Sequence, residues 1–279
     1  MLEIPEAKVL AEQLNQTIEG KLIDQVMVLT SPHRFTFFGE DKDSYESYIK
    51  GKKIGKATNY GGQVEIAIEN YRLLFGDGTN LRFYEAHEPK PDKHQFYLGF
   101  SDGTALAVTV AMYGFIRVFK EGTNDNPFYL VAKEKVSPLT AEFDLTYFKA
   151  LVSQAKLDKP SLSLKGLLAT EQRIPGLGNG CSHDILFTAK QHPKSKLSKL
   201  TDSEIADLFM ATKTVLKKMS VEGGRDIEKD LFGNNGAYRC LLSSKTFKEP
   251  CPVCQGKISR QAFLGGNIYF CPNCQKEKL

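Results

Sequence analysis

Four cysteines near the carboxyl end of the chain have the spacing of metal ligands. Cys251 and Cys254 form one C-x-x-C pair, and Cys271 and Cys274 form a second pair after sixteen intervening residues. Thiolates in two such pairs bind one Zn²⁺ ion tetrahedrally and hold together a small ribbon of strands. The alternative, a pair of disulfides, is disfavoured because the chain shows no export signal. We therefore expect one structural zinc ion, with no open position for chemistry.

Two carboxylates close to the first residue could take part in proton transfer. Glu3 and Glu6 flank Pro5 in the opening MLEIPEA. Apolar residues recur at helical spacing over residues 5–19, which predicts an amphipathic helix directly after them. A glutamate at a helix start is also favourable because it interacts with the helix dipole. The residues alone therefore leave both helix capping and catalysis open for Glu3.

A glycine-rich turn in the second half of the chain could bind phosphate. The stretch GLGNG, residues 176–180, precedes a helical pattern, which would place free backbone N–H groups and the Asn179 amide at a helix start. Asparagine in a glycine turn is also a common helix cap, and a glycine motif alone is weak evidence. Both interpretations stay open at this point.

The remaining patterns divide the chain into three parts. Short alternating segments from about residue 22 to 120 predict an antiparallel sandwich or barrel of about eight strands. Helical periodicity then takes over, and a segment rich in Gly and Asn leads to the cysteine ribbon. We predict an α+β multidomain protein, with a β-sandwich headed by a helix at 1–133, a helical domain at 139–232 and a zinc ribbon at 233–279.

Charge is distributed unevenly along the chain, whose formal net charge is +4. Residues 137–279 carry 21 Lys and Arg against 14 Asp and Glu, whereas residues 1–136 carry 16 against 19. A basic half is compatible with nucleic acid but is weak evidence alone. The sequence has no apolar run of about 18 residues and no signal-peptide pattern. We therefore expect a cytoplasmic protein, in a bacterial-type cytosol or nucleoid, with no membrane partner.

The order of these motifs resembles one family of DNA repair enzymes. MLEIPEA, a β-rich domain, SLKGLLATEQRIPGLGNGCSHDILF and the cysteine ribbon follow one another as in the formamidopyrimidine-DNA glycosylase and endonuclease VIII family. The resemblance covers essentially the whole chain and implies a helix-two-turn-helix domain between the β-sandwich and a zinc finger. Such enzymes flip a damaged base out of duplex DNA and cut its N-glycosidic bond. Many also break the strand through a Schiff base on the amino-terminal proline amine.

The resemblance assigns roles to individual residues. Glu3 matches the acidic residue that serves in proton transfer at the sugar, and Lys56 matches a lysine that reaches the phosphate and sugar. Lys165 and Asn179 match residues that grip phosphates near the lesion. Tyr113 matches an aromatic residue that fills the space left by the extruded base.

Two acidic residues have less direct roles in this comparison. Glu6 matches the second glutamate of the opening motif, which we expect to be structural. Asp184 matches an acidic position near the phosphate-binding residues.

Leu2 stands where the family has its proline nucleophile. Because a bulky second residue is expected to block removal of Met1, the free amine would lie one residue earlier than in the family. A displacement of about 1 Å can already cost roughly 100-fold in rate. We therefore expect weak or absent strand cleavage, with the Met1 amine as its only nucleophile.

Three further positions differ from the family pattern. Ala111 replaces a cation in the loop beside the orphan base, and Asp77 replaces an apolar wedge residue. Gly266 replaces an arginine that binds phosphate from the zinc finger. Arg225 or Lys229, in the charged segment GGRDIEKDLFGNNGAY, is expected to supply a substitute phosphate contact.

Three functions are compatible with these observations. The first is a monomeric DNA glycosylase that hydrolyses the N-glycosidic bond of oxidised or ring-opened bases in damaged double-stranded DNA, with Glu3, Lys56, Met1 and Leu2 around the sugar. The second is a catalytically inactive protein that binds DNA damage, which the substitutions favour. The third, a zinc-ribbon factor for RNA or protein, leaves MLEIPE and GLGN unexplained. Glu3 favours the enzyme, because a protein that only binds has no evident need for that carboxylate.

Overall fold

The computed structural model describes residues 1–39 and 41–279, which form two compact units. The first unit contains residues 1–133 together with 222–237, and the second contains 134–221 together with 238–279. Residues 222–237 thus fold with the amino-terminal part of the chain. The sequence patterns instead assigned them to the helical domain and the start of the ribbon.

The first unit combines one long helix with a large sheet. Helix α1 spans Ile4–Thr17, and the shorter α2 and α3 span Tyr45–Ile49 and Pro127–Glu134. The helix predicted over 5–19 is therefore present, and its buried face includes Leu10 and Leu14. The strands of this unit are β1 (Ile23–Val28), β2 (Thr36–Phe38), β3 (Ile54–Tyr60), β4 (Gln63–Ile68), β5 (Tyr71–Tyr84), β6 (Phe96–Phe100) and β7 (Ala105–Lys120).

These strands belong to one sheet that supplies both layers of the predicted β-sandwich. Its order is β1-β6-β7-β5-β4-β3, with β2 paired to β7. The two longest strands, β5 and β7, pair with each other over almost their whole length. The first half of β5 also pairs with β4, and the first half of β7 also pairs with β6. The two long strands therefore take part in both layers, and the predicted sandwich is confirmed.

A bulge interrupts the pairing of β5 and β7 halfway along. The register shifts between Asp77 and Thr79, so that Gly78 faces three residues of β7, Ala111–Tyr113. A Cβ atom at Gly78 would lie 2.1 Å from the Ala111 carbonyl oxygen, so this close approach requires glycine. Met112 adopts a φ angle of 66°, and all three bulged residues are exposed. The sheet thus presents a short exposed loop in the middle of its longest strand.

The second unit contains the predicted helices and the cysteine ribbon. Helices α4, α5 and α6 span Leu145–Asp158, Asn179–Thr188 and Asp202–Val221. A single π-helical turn spans Gly166–Thr170, and the ribbon hairpin consists of β8 (Ser259–Phe263) and β9 (Gly266–Phe270). Helix α5 packs against β9, where the His183 Nε2 atom lies 3.2 Å from the Asn267 carbonyl oxygen. Over residues 1–39 and 41–279, no helix has both the length and the apolar character to cross a membrane.

Candidate functional site

A buried arginine holds both carboxylates of the amino-terminal motif. The Arg225 side chain donates through Nη1 to Glu3 Oε1 at 3.0 Å, and through Nε and Nη2 to Glu6 Oε1 and Oε2 at 2.9 and 2.8 Å. Arg225 is 1% exposed, and Glu3 and Glu6 are 3% and 4% exposed. A buried carboxylate is costly unless a cation and hydrogen bonds compensate its charge, and the guanidinium fork supplies both. The ionised form of Glu3 is therefore stabilised inside the first unit.

This position overturns the assignment of Arg225 to phosphate binding. Its guanidinium donates to the buried carboxylates of Glu3 and Glu6, so a move towards DNA would leave two buried charges without their cation. Lys229, the other residue considered for that contact, is exposed, and its role stays a prediction.

The same carboxylates also cap α1. The Glu3 backbone N–H donates to Glu6 Oε2 at 3.3 Å as part of a capping box, and the Arg225 backbone N–H donates to Glu6 Oε1 at 3.1 Å. Glu6 thus links the helix start to the segment around Arg225. Glu3 can both cap α1 and take part in chemistry, because its Oε1 atom accepts a hydrogen bond from Arg225, which lies outside this helix.

The first two residues are held in different ways. Leu2 is buried in the hydrophobic core, and its backbone N–H donates to the Asp77 carbonyl oxygen at 2.6 Å. The Met1 α-ammonium donates to Glu228 Oε2 at 2.7 Å, and the Met1 carbonyl accepts a 3.3 Å bond from Arg225 Nη2. Burial raises the pKa of the nearby Asp77 carboxyl, and the Met1 ammonium acts in the opposite direction. Position 2, where the resemblance predicts a nucleophile, thus has a backbone amide that is hydrogen-bonded, and the amine lies one residue before it.

Lys56 projects from an irregular part of strand β3. The pairing of β3 with β4 shifts register between Ile54 and Ala57. The Asn15 side chain from α1 satisfies the backbone there, donating to the Ala57 carbonyl at 2.9 Å and accepting from its N–H at 2.6 Å. Lys56 is exposed beside this point. The lysine therefore reaches solvent from a backbone position that a long-range side-chain contact fixes.

Tyr113 lies on the exposed bulge of β7 and not in the core. It is 43% exposed, and Met112 beside it is 74% exposed. Its hydroxyl lies 3.9 Å from the Met1 sulfur, so the bulge is close to the amino terminus. The structure therefore brings Met1, Leu2, Glu3 and Tyr113 into one region of the first unit.

Two exposed aromatic residues next to this bulge were missed in the sequence. Strand β2 runs parallel to β7, with Thr36 paired to Gly114, and leaves Phe35 and Phe37 47% and 53% exposed. The alternation in RFTFF is typical of a strand with one buried face, so sequence alone gives no reason to place these rings at the surface. Only the pairing of β2 with β7 identifies them as neighbours of the bulge.

Lys165, Asn179 and Gly266 meet in the second unit. A Cβ atom at Gly266 would lie 2.9 Å from Asn179 Nδ2 and 3.7 Å from Lys165 Nζ. Lys165 is 1% exposed, and its ammonium donates to the carbonyls of Phe263 and Leu264 in the β8–β9 turn. Burial lowers the pKa of Lys165. The Lys165 side chain is therefore held inside the second unit by the ribbon hairpin.

This group of residues has the features of an anion site. Asn179 is the first residue of α5, after the extended Gly178, and its Oδ1 atom is buried with no hydrogen-bond partner among the described residues. A cation, a side-chain amide and a helix amino terminus thus converge, and each of these interacts favourably with phosphate. The arrangement supports the predicted phosphate-binding residues without showing a ligand.

Asp184 has a structural position in the same helix. It is fully buried and accepts hydrogen bonds from the Tyr238 hydroxyl at 3.0 Å and from the backbone N–H groups of Leu241 and Leu242 at 2.8 Å. The carboxylate thus ties the segment before the ribbon to α5. These contacts give the Asp184 carboxylate a structural role inside the second unit.

The four cysteines form one group that can hold a metal ion. Their Sγ atoms lie within 4.8 Å of one another, with Cys251–Cys274 at 3.8 Å and Cys254–Cys271 at 3.5 Å, and none forms a disulfide. Metal–sulfur bonds of about 2.3 Å in a tetrahedron place sulfur atoms about 3.8 Å apart, so the geometry fits. A hydrogen bond from the Gly256 backbone lowers the pKa of Cys254 to about 6, which favours the thiolate that a metal requires.

Comparisons with known proteins agree with the resemblance. A scan against protein-family models finds no match. The chain is 30% identical over 282 residues to the formamidopyrimidine-DNA glycosylase of Bacillus cereus, and the alignment covers 99% of each chain.

Solved structures have the same fold over the full length. The Lactococcus lactis Fpg bound to DNA with an abasic site superimposes with a TM-score of 0.83 at 24% identity, over 99% of this chain and 100% of that chain. A mutant of the Lactococcus lactis protein bound to DNA containing Fapy-dG gives a TM-score of 0.83 at 25% identity with the same coverage. With 30% identity to a curated relative over almost its entire length, the chain belongs to the formamidopyrimidine-DNA glycosylase family.

Proposed function

We propose that this protein is a DNA N-glycosylase that flips oxidised or ring-opened bases out of double-stranded DNA and hydrolyses their N-glycosidic bond. Its relative from Bacillus cereus is a formamidopyrimidine-DNA glycosylase, and its structural neighbours bind abasic and Fapy-dG DNA. The observation that carries the proposal is the buried Glu3, whose Oε1 atom accepts a 3.0 Å hydrogen bond from Arg225. A protein that only binds damage would not need an enclosed carboxylate at this position, so the inactive alternative is not favoured.

Glu3 acts at the sugar of the flipped nucleotide. Departure of the base leaves positive charge on the sugar, and a fixed carboxylate stabilises that charge without having to reorganise. The same carboxylate can accept a proton from the attacking water. Lys56 is proposed to hold the adjacent phosphate, since its ammonium is free to extend from β3 into solvent. Arg225 is a positioning residue, because it acts through Glu3.

Tyr113 is proposed to fill the space that the flipped base leaves. Extrusion of a base costs a few kcal/mol, and stacking on an aromatic ring contributes about 1–3 kcal/mol per base. Tyr113, with Phe35 and Phe37 beside it, can therefore offset much of the cost although Ala111 offers no cation. Stacking is tolerant of base identity, so we expect weak discrimination among opposite bases.

Phosphate binding is proposed for Lys165 and Asn179 in the second unit. Lys165 already donates to two backbone carbonyls, so binding DNA would exchange one of these contacts for a phosphate oxygen. The amide of Asn179 and the first turn of α5 supply neutral donors at the same place. Gly266 contributes space and no charge.

The metal is proposed to be one structural Zn²⁺ ion held by the four cysteines, since tetrahedral thiolate sites favour zinc. We further propose that the protein acts as a monomer in the cytoplasm, where its DNA substrate lies. In this proposal residues 1–133 carry out catalysis together with Arg225, the rest of 139–232 binds DNA and 233–279 form the finger. Strand cleavage is proposed to be weak and to depend on the Met1 amine.

We predict that Glu3→Gln lowers base excision by at least about 100-fold while binding to lesion DNA stays within about twofold, because the substitution removes only the charge that acts during bond cleavage. Single-turnover excision and fluorescence anisotropy on duplexes with one oxidised or ring-opened base measure the two effects. Glu12→Gln, an exposed change in the same helix, is the control. Excision by Glu3→Gln at the wild-type rate would remove Glu3 from the mechanism.

Arg225→Met should destabilise the protein by about 3–5 kcal/mol, because it leaves two buried carboxylates without their cation. Urea unfolding followed by circular dichroism measures the free energy of unfolding. Arg239→Met breaks an exposed pair with Glu249 and should cost about 0–1 kcal/mol. Equal costs for the two variants would contradict the view that burial makes the Arg225 contact important.

Lys165→Ala should weaken binding to every duplex and reduce the slope of log K against log salt by about 0.9, the value for one lost phosphate contact. Asn179→Ala should weaken binding in the same sequence-independent way. Titrations at several salt concentrations measure both effects. The control is Lys159→Ala, which removes an exposed lysine of the same unit that pairs with Glu171. Unchanged affinity in both test variants would exclude this phosphate site.

Purified protein is expected to contain one zinc ion per chain, measured by elemental analysis, with four sulfur ligands by X-ray absorption. Cys254→Ser should lose the metal and lower the thermal stability, since metal binding and folding of the ribbon are coupled. Cys181→Ala, a buried cysteine outside the group, should keep a full complement. Metal retained by Cys254→Ser at full occupancy would contradict this site.

A further inference from the structure

The outer strand of the ribbon hairpin borders an open groove. The hairpin is a two-stranded sheet, so β8 has β9 on one side and no strand on the other. The groove has a volume of about 510 Å³ and is lined by residues 247–248 and 257–261. Its apolar lining consists of the half-buried Phe247 and the buried Ile258. All of these residues belong to the second unit.

The groove is positively charged. Its ionisable lining residues are Lys248, Lys257 and Arg260, and each of them is exposed. Within the part of the chain that the structure describes, none of these cations forms an ion pair, and the neighbouring Glu249 pairs with Arg239 instead. Cations of one sign around a concave surface reinforce one another and attract an anionic ligand.

The free edge of β8 offers backbone hydrogen bonds as well as charge. The hairpin turn consists of residues 264–265, so the pair Phe263–Gly266 beside it is hydrogen-bonded and every second pair after it is too. The N–H and C=O groups of Arg260 and Ala262 therefore point away from β9. Both residues are exposed, and these groups bond to no backbone outside the hairpin over the described residues.

We propose that this groove binds an extended acidic segment of a partner protein, which adds a strand to the free edge of β8. The backbone groups of Arg260 and Ala262 bond to the segment, and the cations of the groove pair with its carboxylates. Side chains of an added strand alternate between its two faces, so a segment that mixes acidic and apolar residues fits best, with an apolar side chain on Phe247. This inference goes beyond the proposed function and does not depend on it.

Two other occupants fit the groove less well. A second copy of the ribbon would bring its own cations against these, and like charges on facing strands are unfavourable. A DNA backbone is anionic, but it has no hydrogen-bond donor for the carbonyls of Arg260 and Ala262. The Arg260 guanidinium also lies 5.7 Å from the centre of the Phe247 ring, which holds its planar fork in place for a carboxylate.

The test measures binding of labelled probes to the full-length chain by fluorescence anisotropy. The test peptide is a short chain of alternating Asp and Val. A charge-matched control peptide has a methyl group on every backbone nitrogen, which removes its donors and keeps its carboxylates. Oligothymidylate of the same number of units is the nucleic-acid probe.

We expect the test peptide to bind at least about tenfold more tightly than either other probe, since it alone can use both the charges and the strand edge. Arg260→Ala should weaken its binding by at least about fivefold, because it removes a cation of the groove. Lys257→Ala gives a second variant for the same effect. The control is Lys149→Ala, which removes an exposed lysine of α4 and should leave binding unchanged.

Amide hydrogen exchange locates the peptide on the strand. With peptide bound, the amides of Arg260 and Ala262 should exchange at least about tenfold more slowly, whereas Gln261, which already bonds to β9, should change little. Binding and excision of lesion duplexes by Arg260→Ala should equal those of wild type. That comparison separates the groove from the proposed DNA site, whichever result the excision assay gives for the wild-type protein.

Thermal unfolding confirms that each variant folds. The proposal is overturned by equal binding of the test and methylated peptides, by tighter binding of oligothymidylate, or by protection that does not alternate along β8. It is also overturned if Arg260→Ala weakens binding to duplex DNA as much as binding to the peptide, because the groove would then bind nucleic acid.

Discussion

The buried contact between Arg225 and the carboxylates of Glu3 and Glu6 connects the start of the chain to a segment more than 200 residues later. Burying one guanidinium and two carboxylates costs free energy of desolvation, and this cost is compensated only when the three groups form hydrogen bonds with one another. Buried ion pairs add little net stability compared with apolar residues of similar size, but they fix geometry. Here they fix three things together: the start of α1, the orientation of Glu3, and the attachment of residues 222–237 to the first unit. The geometry of the amino-terminal site therefore depends on one arginine.

The sequence predicted the parts of the structure that depend on local pattern. The spacing of two C-x-x-C pairs predicted the cysteine group, because this spacing is typical of a metal site. Apolar residues at helical intervals predicted α1. The β-sandwich followed from alternation and turn residues, although the sharing of β5 and β7 between its two layers depends on a bulge at Gly78. The meeting of Lys165 and Asn179 was expected only through resemblance to the family.

The sequence did not predict which charged and aromatic side chains are buried and which are exposed. Arg225 lies in a segment rich in charge and turn residues, which is typical of a solvated loop, yet it is among the most enclosed side chains of the described residues. Lys165 is also buried, because two carbonyls of the β8–β9 turn accept hydrogen bonds from its ammonium. These carbonyls lie almost 100 residues away in the sequence. Phe35 and Phe37 are exposed because β2 pairs with β7 near a bulge. Each of these outcomes is decided by contacts between distant segments, which local periodicity does not record.

The close approach of Gly266 to Asn179 limits the side chains that position 266 can carry. A Cβ atom there would lie 2.9 Å from Asn179 Nδ2, so any larger residue requires the Asn179 amide to shift. That shift would also change the distance between the amide and Lys165 Nζ, which lies near the same point. The size of one residue in the ribbon and the geometry of the group that we propose for phosphate binding are therefore coupled.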